Sequence, residues 1–246
     1  MEPKAVAKAK IKYIRVTPRK MRIIVDLLRG LPQPCTILEL CCGEGILAEM
    51  LLNALPGSIY IGMDGSQVML DKTNQRLEGF TRRYRLGKFD LADQSWRRLD
   101  SPVQGVVSML AIHHLDEVGK QILFQDVYAL LTIGGVFIVA DMVEPASQSG
   151  RNVAADAWDE VVRQRSLELD CGMAGLDFFL KEGWNTYRYL DPDDIDHPSP
   201  LFDQLKWLEQ AGFVDIDVHF FQAGHALFSG WKRTGIGKLP KDKKSD

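Results

Sequence analysis

Residues 37–45, Ile-Leu-Glu-Leu-Cys-Cys-Gly-Glu-Gly, decide the fold of this 246-residue chain. Residues 36–40 form a short apolar run typical of a buried strand, and residues 46–55 carry the apolar pattern of a helix. Between them, Gly43 and Gly45 allow a tight turn and the close approach of a ligand to the backbone. The first amides of the helix add hydrogen-bond donors. The stretch therefore predicts a strand, a ligand-binding turn and a helix, although the G-x-G-x-x-G dinucleotide fingerprint is absent.

The alternation of strand and helix continues along the chain. Further strands are predicted at 58–63, 84–89, 103–112 and 136–140, and further helices at 66–77, 117–131 and 201–211. Such repetition predicts a mostly parallel sheet with helices on both faces. Two final apolar runs, 213–221 and 225–231, are so close that they must pair antiparallel. We expect an α/β fold, doubly wound around a seven-stranded sheet whose last strand is antiparallel.

The composition is that of a globular protein. Hydrophobic residues make up 46% of the chain and charged residues 26%, and no apolar run reaches the roughly 20 residues that cross a bilayer. The N-terminus lacks the apolar segment of a secretory signal. These features predict a cytoplasmic protein with no membrane partner. The four cysteines make no C-x-x-C spacing, so no metal site is expected.

The first thirty residues differ in charge from the rest. They hold nine Lys or Arg against two acidic residues, a net charge of +7, which leaves −10 for the remainder of a chain whose net charge is −3. Thr17-Pro18, the apolar stripe Met21, Ile24, Val25 and Leu28, and then Gly30 predict a basic amphipathic helix.

The predicted domain organisation follows from this contrast. Pro32 and Pro34 interrupt the helix, so we expect residues 1–30 to be an independent basic extension. Residues 35–233 are predicted to form the main domain, with an insertion at 145–198. The lysine-rich residues 234–246 are predicted to be a tail.

Five stretches of the sequence are specific in combination. They are Glu39 with Gly43 and Gly45, Asp64-Gly65-Ser66, Phe89-Asp90-Leu91, residues 108–115 and residues 131–135. In order and spacing they resemble the class I methyltransferases over residues 35–233, and the reversed last strand is similar to that family's.

This resemblance implies S-adenosylmethionine as the cofactor. It places Glu39 near the methionine ammonium, Gly43 and Gly45 under the methionine and ribose, Asp64 on the ribose diol, Ser66 and Met69 beside the adenosine, and Asp90 with the Leu91 amide at the adenine edge. Gly65, Ala111 and Cys41 complete the implied cofactor site. Cys41 departs from the family pattern, because the first glycine of the turn usually stands there.

The candidate catalytic residues are His113 and His114, which follow the fourth predicted strand. Methyl transfer needs a general base only when the acceptor must lose a proton, and an imidazole titrates in the appropriate range. A structural capping role is the alternative. Aromatic residues in the insertion similarly indicate either a lid over the acceptor or internal packing.

Residues 4–30 resemble the start of bacterial large-subunit ribosomal protein L twenty-two. This second resemblance leaves three hypotheses open. A small-molecule methyltransferase is preferred. An RNA-directed methyltransferase, or an RNA-binding protein, would bind RNA phosphates through the basic extension. If the protein does not bind RNA, the extension is interpreted as a fusion remnant. A nicotinamide oxidoreductase is the weakest, because the third fingerprint glycine is missing. Nothing in the sequence selects an acceptor or an oligomeric state.

Overall fold

A computed structural model describes residues 18–97, 99–189 and 195–234. The elements are α1 Pro18–Arg29, β1 Thr36–Leu40, α2 Ile46–Ala54, β2 Ile59–Asp64, α3 Gln67–Leu77, β3 Tyr84–Lys88, β4 Val103–Met109, α4 Glu117–Leu130, β5 Leu131–Met142, α5 Gln148–Asp170, α6 Ala174–Lys181, α7 Leu201–Ala211, β6 Val214–Gln222 and β7 His225–Trp231. The start of the ribosomal-protein resemblance and all but the first residue of the predicted tail lie outside the described residues.

The strands form one seven-stranded sheet in the order β3-β2-β1-β4-β5-β7-β6. Neighbouring strands from β3 to β5 run parallel, and β7 is antiparallel to both β5 and β6. The predicted doubly wound α/β fold with a reversed last strand is confirmed. Among the described residues, no helix is both long enough and apolar enough to span a membrane.

Helices cover both faces because successive strand residues point to opposite sides. In β1, Ile37 packs with α1, α2 and α3 on one face. Leu38 and Leu40 point to the other face, where α4 and α7 pack. The buried runs on both faces explain why the central strands read as continuously apolar sequence.

Several strand boundaries differ from the prediction, and two of these differences shape the edge of the sheet where the parallel strands end. β4 stops at Met109 rather than residue 112 because Leu110 adopts a left-handed φ of 50°. Residues 112–114 then form a short 3-10 turn. β5 extends to Met142 rather than residue 140, so Asp141 lies within the sheet beside that turn.

Helix α1 belongs to the core of the domain. Ile24 and Leu28 are 0% exposed and lie in the same apolar cluster as residues of β4 and β5. A Cβ placed on Gly105 would lie 2.7 Å from Leu28 Cδ2, so the helix contacts the strand with no spare space. The independence expected for residues 1–30 therefore does not hold for residues 18–29. The two prolines redirect the chain, but the apolar stripe decides where the helix packs.

The insertion packs against the end of the sheet through a third apolar cluster. Trp158, Phe179 and Tyr187 lie together in it with Met142 at the end of β5. The Tyr187 hydroxyl donates to the carbonyl oxygens of Val143 at 2.9 Å and Gly224 at 2.6 Å. The aromatic residues of the insertion were interpreted either as a lid over the acceptor or as internal packing, and internal packing applies to these three.

We predict that Leu28→Ala lowers the free energy of unfolding by about 2–5 kcal/mol, because it removes buried apolar volume that cannot be refilled. Arg22→Ala is the matched control, since Arg22 lies on the exposed face of the same helix. Urea denaturation of both variants measures the difference. Equal midpoints for Leu28→Ala and the parent chain would show that α1 does not contribute to the folded domain.

Candidate active site

The turn between β1 and α2 is held by Asp64 at the end of β2. The Gly43 amide donates to Asp64 Oδ2 at 2.8 Å, and the Ser66 amide donates to Oδ1 at 2.9 Å. Each carboxylate oxygen can accept a second hydrogen bond. Asp64 thus joins two neighbouring loops while keeping the capacity to accept hydrogen bonds from hydroxyl groups.

The two glycines of the turn serve different purposes. Both have left-handed backbones, with φ of 55° at Gly43 and 71° at Gly45. A Cβ at Gly43 would meet nothing within 4 Å, so the backbone there faces open space that a ligand can occupy. A Cβ at Gly45 would lie 2.7 Å from Thr73 Cγ2, so this glycine permits close packing of α2 on α3.

Cys41 accommodates the turn in spite of its side chain. Its φ is 58°, a conformation that costs an L-residue about 1–2 kcal/mol. Burial, with added repulsion from Asp64 and other acidic groups, raises the pKa of the Cys41 thiol to about 12. A thiol that stays neutral is a poor nucleophile, so this environment disfavours a nucleophilic role for Cys41.

A cleft of about 580 Å³ lies along the ends of β1, β2, β3 and β4. Its lining residues are Cys41, Gly65, Lys88, Phe89, Asp90, Leu91, Ala92, His114 and Leu115. The structure therefore brings together five of the predicted site residues around one space. Ser66 caps α3 instead, since its hydroxyl accepts from the Met69 amide at 3.4 Å, and neither of these two residues lines the cleft.

Glu39 is buried beneath the turn. It is 1% exposed, and its Oε2 accepts a hydrogen bond from the Tyr60 hydroxyl at 2.6 Å. Burial raises the pKa of Glu39 to about 8; Tyr60 opposes the rise and Asp64 adds to it. At neutral pH the carboxyl group is therefore mostly protonated, and a nearby cation would favour its ionised form.

His113 is fixed by a carboxylate that the sequence did not single out. Its Nδ1 lies 2.5 Å from Asp141 Oδ1, and Asp141 also accepts backbone amides from Met142, His113 and Ala111 at 2.8, 3.1 and 3.3 Å. Burial lowers the pKa of His113, but Asp141 and Asp196 together outweigh that effect and raise it. The only sequence signal for Asp141 was its position directly after a predicted buried strand.

A second carboxylate, Asp196, reaches the histidines from the end of the insertion. Its Oδ1 lies 2.9 Å from His114 Nδ1 and 3.5 Å from His113 Nε2. The His197 amide donates to the His113 carbonyl oxygen at 2.6 Å. Buried Lys120 on α4 donates to the His197 carbonyl oxygen and, at 2.8 Å, to Ser199 Oγ. These contacts hold Asp196 over the turn that carries both histidines.

We predict that Glu39→Gln stabilises the protein increasingly as the pH rises. The pKa of Glu39 is raised from 4.5 to about 8 on folding, so the parent chain loses stability between about pH 5 and pH 8 while the neutral amide does not. The gain at pH 8 relative to pH 5 should be roughly 3 kcal/mol. Denaturation at both pH values measures it, with exposed Glu78→Gln as control. A gain that is the same at pH 5 and pH 8 would contradict the raised pKa.

Comparison with known proteins finds relatives among the methyltransferases. A methyltransferase-domain family model matches residues 37–135. A trans-aconitate 2-methyltransferase of Acidovorax ebreus (strain TPSY) is 31% identical over 216 residues, which cover 81% of this chain and 77% of that protein. A trans-aconitate 2-methyltransferase of Variovorax paradoxus (strain S110) is 28% identical over 171 residues, or 65% of this chain and 62% of the relative.

The solved structures with a similar fold include an O-methyltransferase family protein from Burkholderia thailandensis. It superposes with a TM-score of 0.61 at 15% identity, over 88% of this chain and 57% of that one. This likeness concerns the fold alone, and the chain spans less than two thirds of the length of that protein and of the Variovorax relative. The family-model match and the extended match to the Acidovorax enzyme identify the chain as a member of the S-adenosylmethionine-dependent methyltransferase family.

Proposed function

We propose that this chain transfers a methyl group from S-adenosylmethionine to a small organic molecule held over the ends of β4 and β5. The observation that carries the proposal is the buried His113–Asp141 pair at that edge, next to a cleft that His114 shares with Asp90 and Leu91. In open α/β sheets, ligands bind outside the carboxyl ends of the strands.

The residues of the cleft and of the neighbouring turn fit the cofactor. Asp64 has hydrogen-bonding capacity left for ribose hydroxyls after it binds the Gly43 and Ser66 amides. The open space beside the Gly43 backbone can hold the methionine part of the cofactor. The ammonium group of that methionine would favour the ionised form of Glu39. Asp90 and Leu91 line the cleft itself. When bound, S-adenosylmethionine supplies an electrophilic methyl group.

His113 is the proposed proton acceptor. Asp141 contacts its Nδ1, so the neutral ring carries its lone pair on Nε2, which can receive a proton from an acceptor hydroxyl placed beside Asp196. Proton removal is needed for a hydroxyl but not for a carboxylate that is already ionised. A role for His113 in catalysis therefore favours an acceptor with a hydroxyl group.

The charge beside the histidines supports an acceptor that is neutral or cationic. A cavity of about 400 Å³ adjoins Asp196 under the insertion. Among the described residues that line it, Asp116, Glu117, Glu144 and Asp196 are acidic, whereas the single cation, Arg151, already donates to Glu144. Such a lining repels a molecule with several carboxylates. We infer that the acceptor differs from the trans-aconitate named for the relatives.

The RNA-directed alternative stays a prediction. Residues 1–17, which hold five of the nine basic residues of the N-terminal segment, lie outside the described residues. Arg19, Arg22 and Arg29 are exposed on α1, while the apolar face of the same helix lies in the core. This packing favours a structural role for α1 over a separate RNA anchor.

We predict that S-adenosylhomocysteine raises the melting temperature of the full chain, because a ligand specific to the folded state stabilises it. Asp64→Asn should weaken its binding about tenfold or more, since charge-assisted hydrogen bonds contribute about 1.5–3 kcal/mol. Exposed Asp71→Asn on α3 should bind as the parent does. Calorimetry measures these affinities. Unchanged binding by Asp64→Asn, or saturable binding of NADH, would contradict the cofactor assignment.

We predict that a panel of phenols, catechols and aliphatic alcohols contains a better methyl acceptor than trans-aconitate, measured by transfer from labelled S-adenosylmethionine. With the best hydroxyl acceptor, His113→Gln should slow turnover about 10²–10⁴-fold, the range of general-base catalysis. S-adenosylhomocysteine affinity should not change. Preferential methylation of trans-aconitate, with no effect of His113→Gln, would contradict both the acceptor class and the role of His113.

A further inference from the structure

Three potential metal ligands converge at the end of β4. One ring nitrogen from each of His113 and His114 and one oxygen of Asp196 all lie within 4.8 Å of one another. Two of the separations are 2.9 Å, between His114 Nδ1 and Asp196 Oδ1, and 3.5 Å, between His113 Nε2 and the same oxygen. No metal site was predicted from the sequence, because the prediction rested on the spacing of the cysteines. Asp196 also lies far along the chain from the two histidines.

The two separations that involve Asp196 suit a small divalent cation. At metal–ligand distances of about 2.0–2.1 Å, the ligand atoms of a tetrahedral site lie about 3.4 Å apart. Both measured separations bracket that value. The His114 side chain is 46% exposed, so its ring can move to adjust its distances to the other two ligand atoms.

The environment of His113 is the one that metal-binding histidines usually have. A ligating histidine donates its other ring N–H to a carboxylate or carbonyl group, which fixes the tautomer and directs the free nitrogen at the metal. Asp141 does this for His113, with 2.5 Å between its Oδ1 and His113 Nδ1. Since Asp141 also accepts three backbone amides, the direction of the His113 ring is set before any ligand binds.

The third ligand is equally well positioned, and the local charge favours a cation. The contacts of His197 and Ser199 with the His113 backbone and Lys120 fix the segment that carries Asp196. The adjoining cavity adds the carboxylates of Asp116, Glu117 and Glu144. The acidic lining that disfavours a polycarboxylate acceptor therefore favours a dication.

We propose that His113, His114 and Asp196 bind one divalent first-row transition-metal ion, of the class of Zn²⁺ or Co²⁺. Two imidazole nitrogens and one carboxylate oxygen suit these ions, whereas Mg²⁺ and Ca²⁺ prefer sets of oxygen ligands. Three protein ligands leave a coordination position open for water or an oxygen of a bound molecule. Because Nε2 of His113 has one lone pair, it binds either this ion or the proton of an acceptor.

The test is a titration of the chelator-treated, tag-free full chain with Co²⁺, without cofactor or acceptor, followed by visible absorption. We expect saturation at one equivalent with the intense d–d bands of a low-coordinate site, displacement by Zn²⁺, and no displacement by Mg²⁺. Calorimetry with Zn²⁺ gives the affinity. Because neither methyl donor nor acceptor is present, the outcome is independent of the proposed function.

Variants locate the site. His114→Ala and Asp196→Asn should each weaken Co²⁺ binding at least tenfold, and Asp141→Asn should weaken it about 10–100-fold through the orientation of His113. His197→Ala is the matched control, since this exposed histidine adjoins Asp196 but is outside the group. Thermal melting confirms that each variant is folded. No stoichiometric Co²⁺ binding by the parent chain, or full binding by folded His114→Ala and Asp196→Asn, would overturn the proposal.

Discussion

The buried carboxylate of Asp141 is the constraint on which the site depends. A charge that is 2% exposed is destabilising unless donors surround it, and here three backbone amides and an imidazole do so. Two of those amides, from Ala111 and His113, belong to the turn after β4. The hydrogen bonds that stabilise the Asp141 carboxylate in β5 therefore determine the path of the turn after β4. They also determine the direction of the His113 ring that this turn carries.

Much of the fold could be predicted from local sequence, because strand and helix periodicities and the glycine turn are properties of consecutive residues. The parallel and antiparallel directions of the strands followed from them, whereas the order of the strands within the sheet did not. Five residues of the candidate cofactor and catalytic site, Asp90 and Leu91 among them, lie around one cleft as the sequence predicted, and their roles stay predictions. The roles expected for these residues came from the resemblance to the methyltransferase family, because composition alone does not assign a role to a residue.

The rest depended on contacts between distant parts of the chain. Asp141 was indistinguishable from an ordinary strand-end residue until β5 was seen to extend past it. The sequence did not single out Asp196, since nothing local shows that Lys120 fixes its loop against the histidines. The prolines after α1 indicated a boundary, but a change of chain direction does not determine whether the preceding helix packs on the domain.

The contact of α1 with the sheet also restricts how this sequence can change over evolution. Leu28 fills the space that a side chain at Gly105 would need, so the two positions share a single volume. A larger residue at position 105 would be tolerated only with a smaller one at position 28. Substitutions at these sites should therefore occur in pairs, whereas the exposed basic residues of α1 can vary freely without disturbing the core.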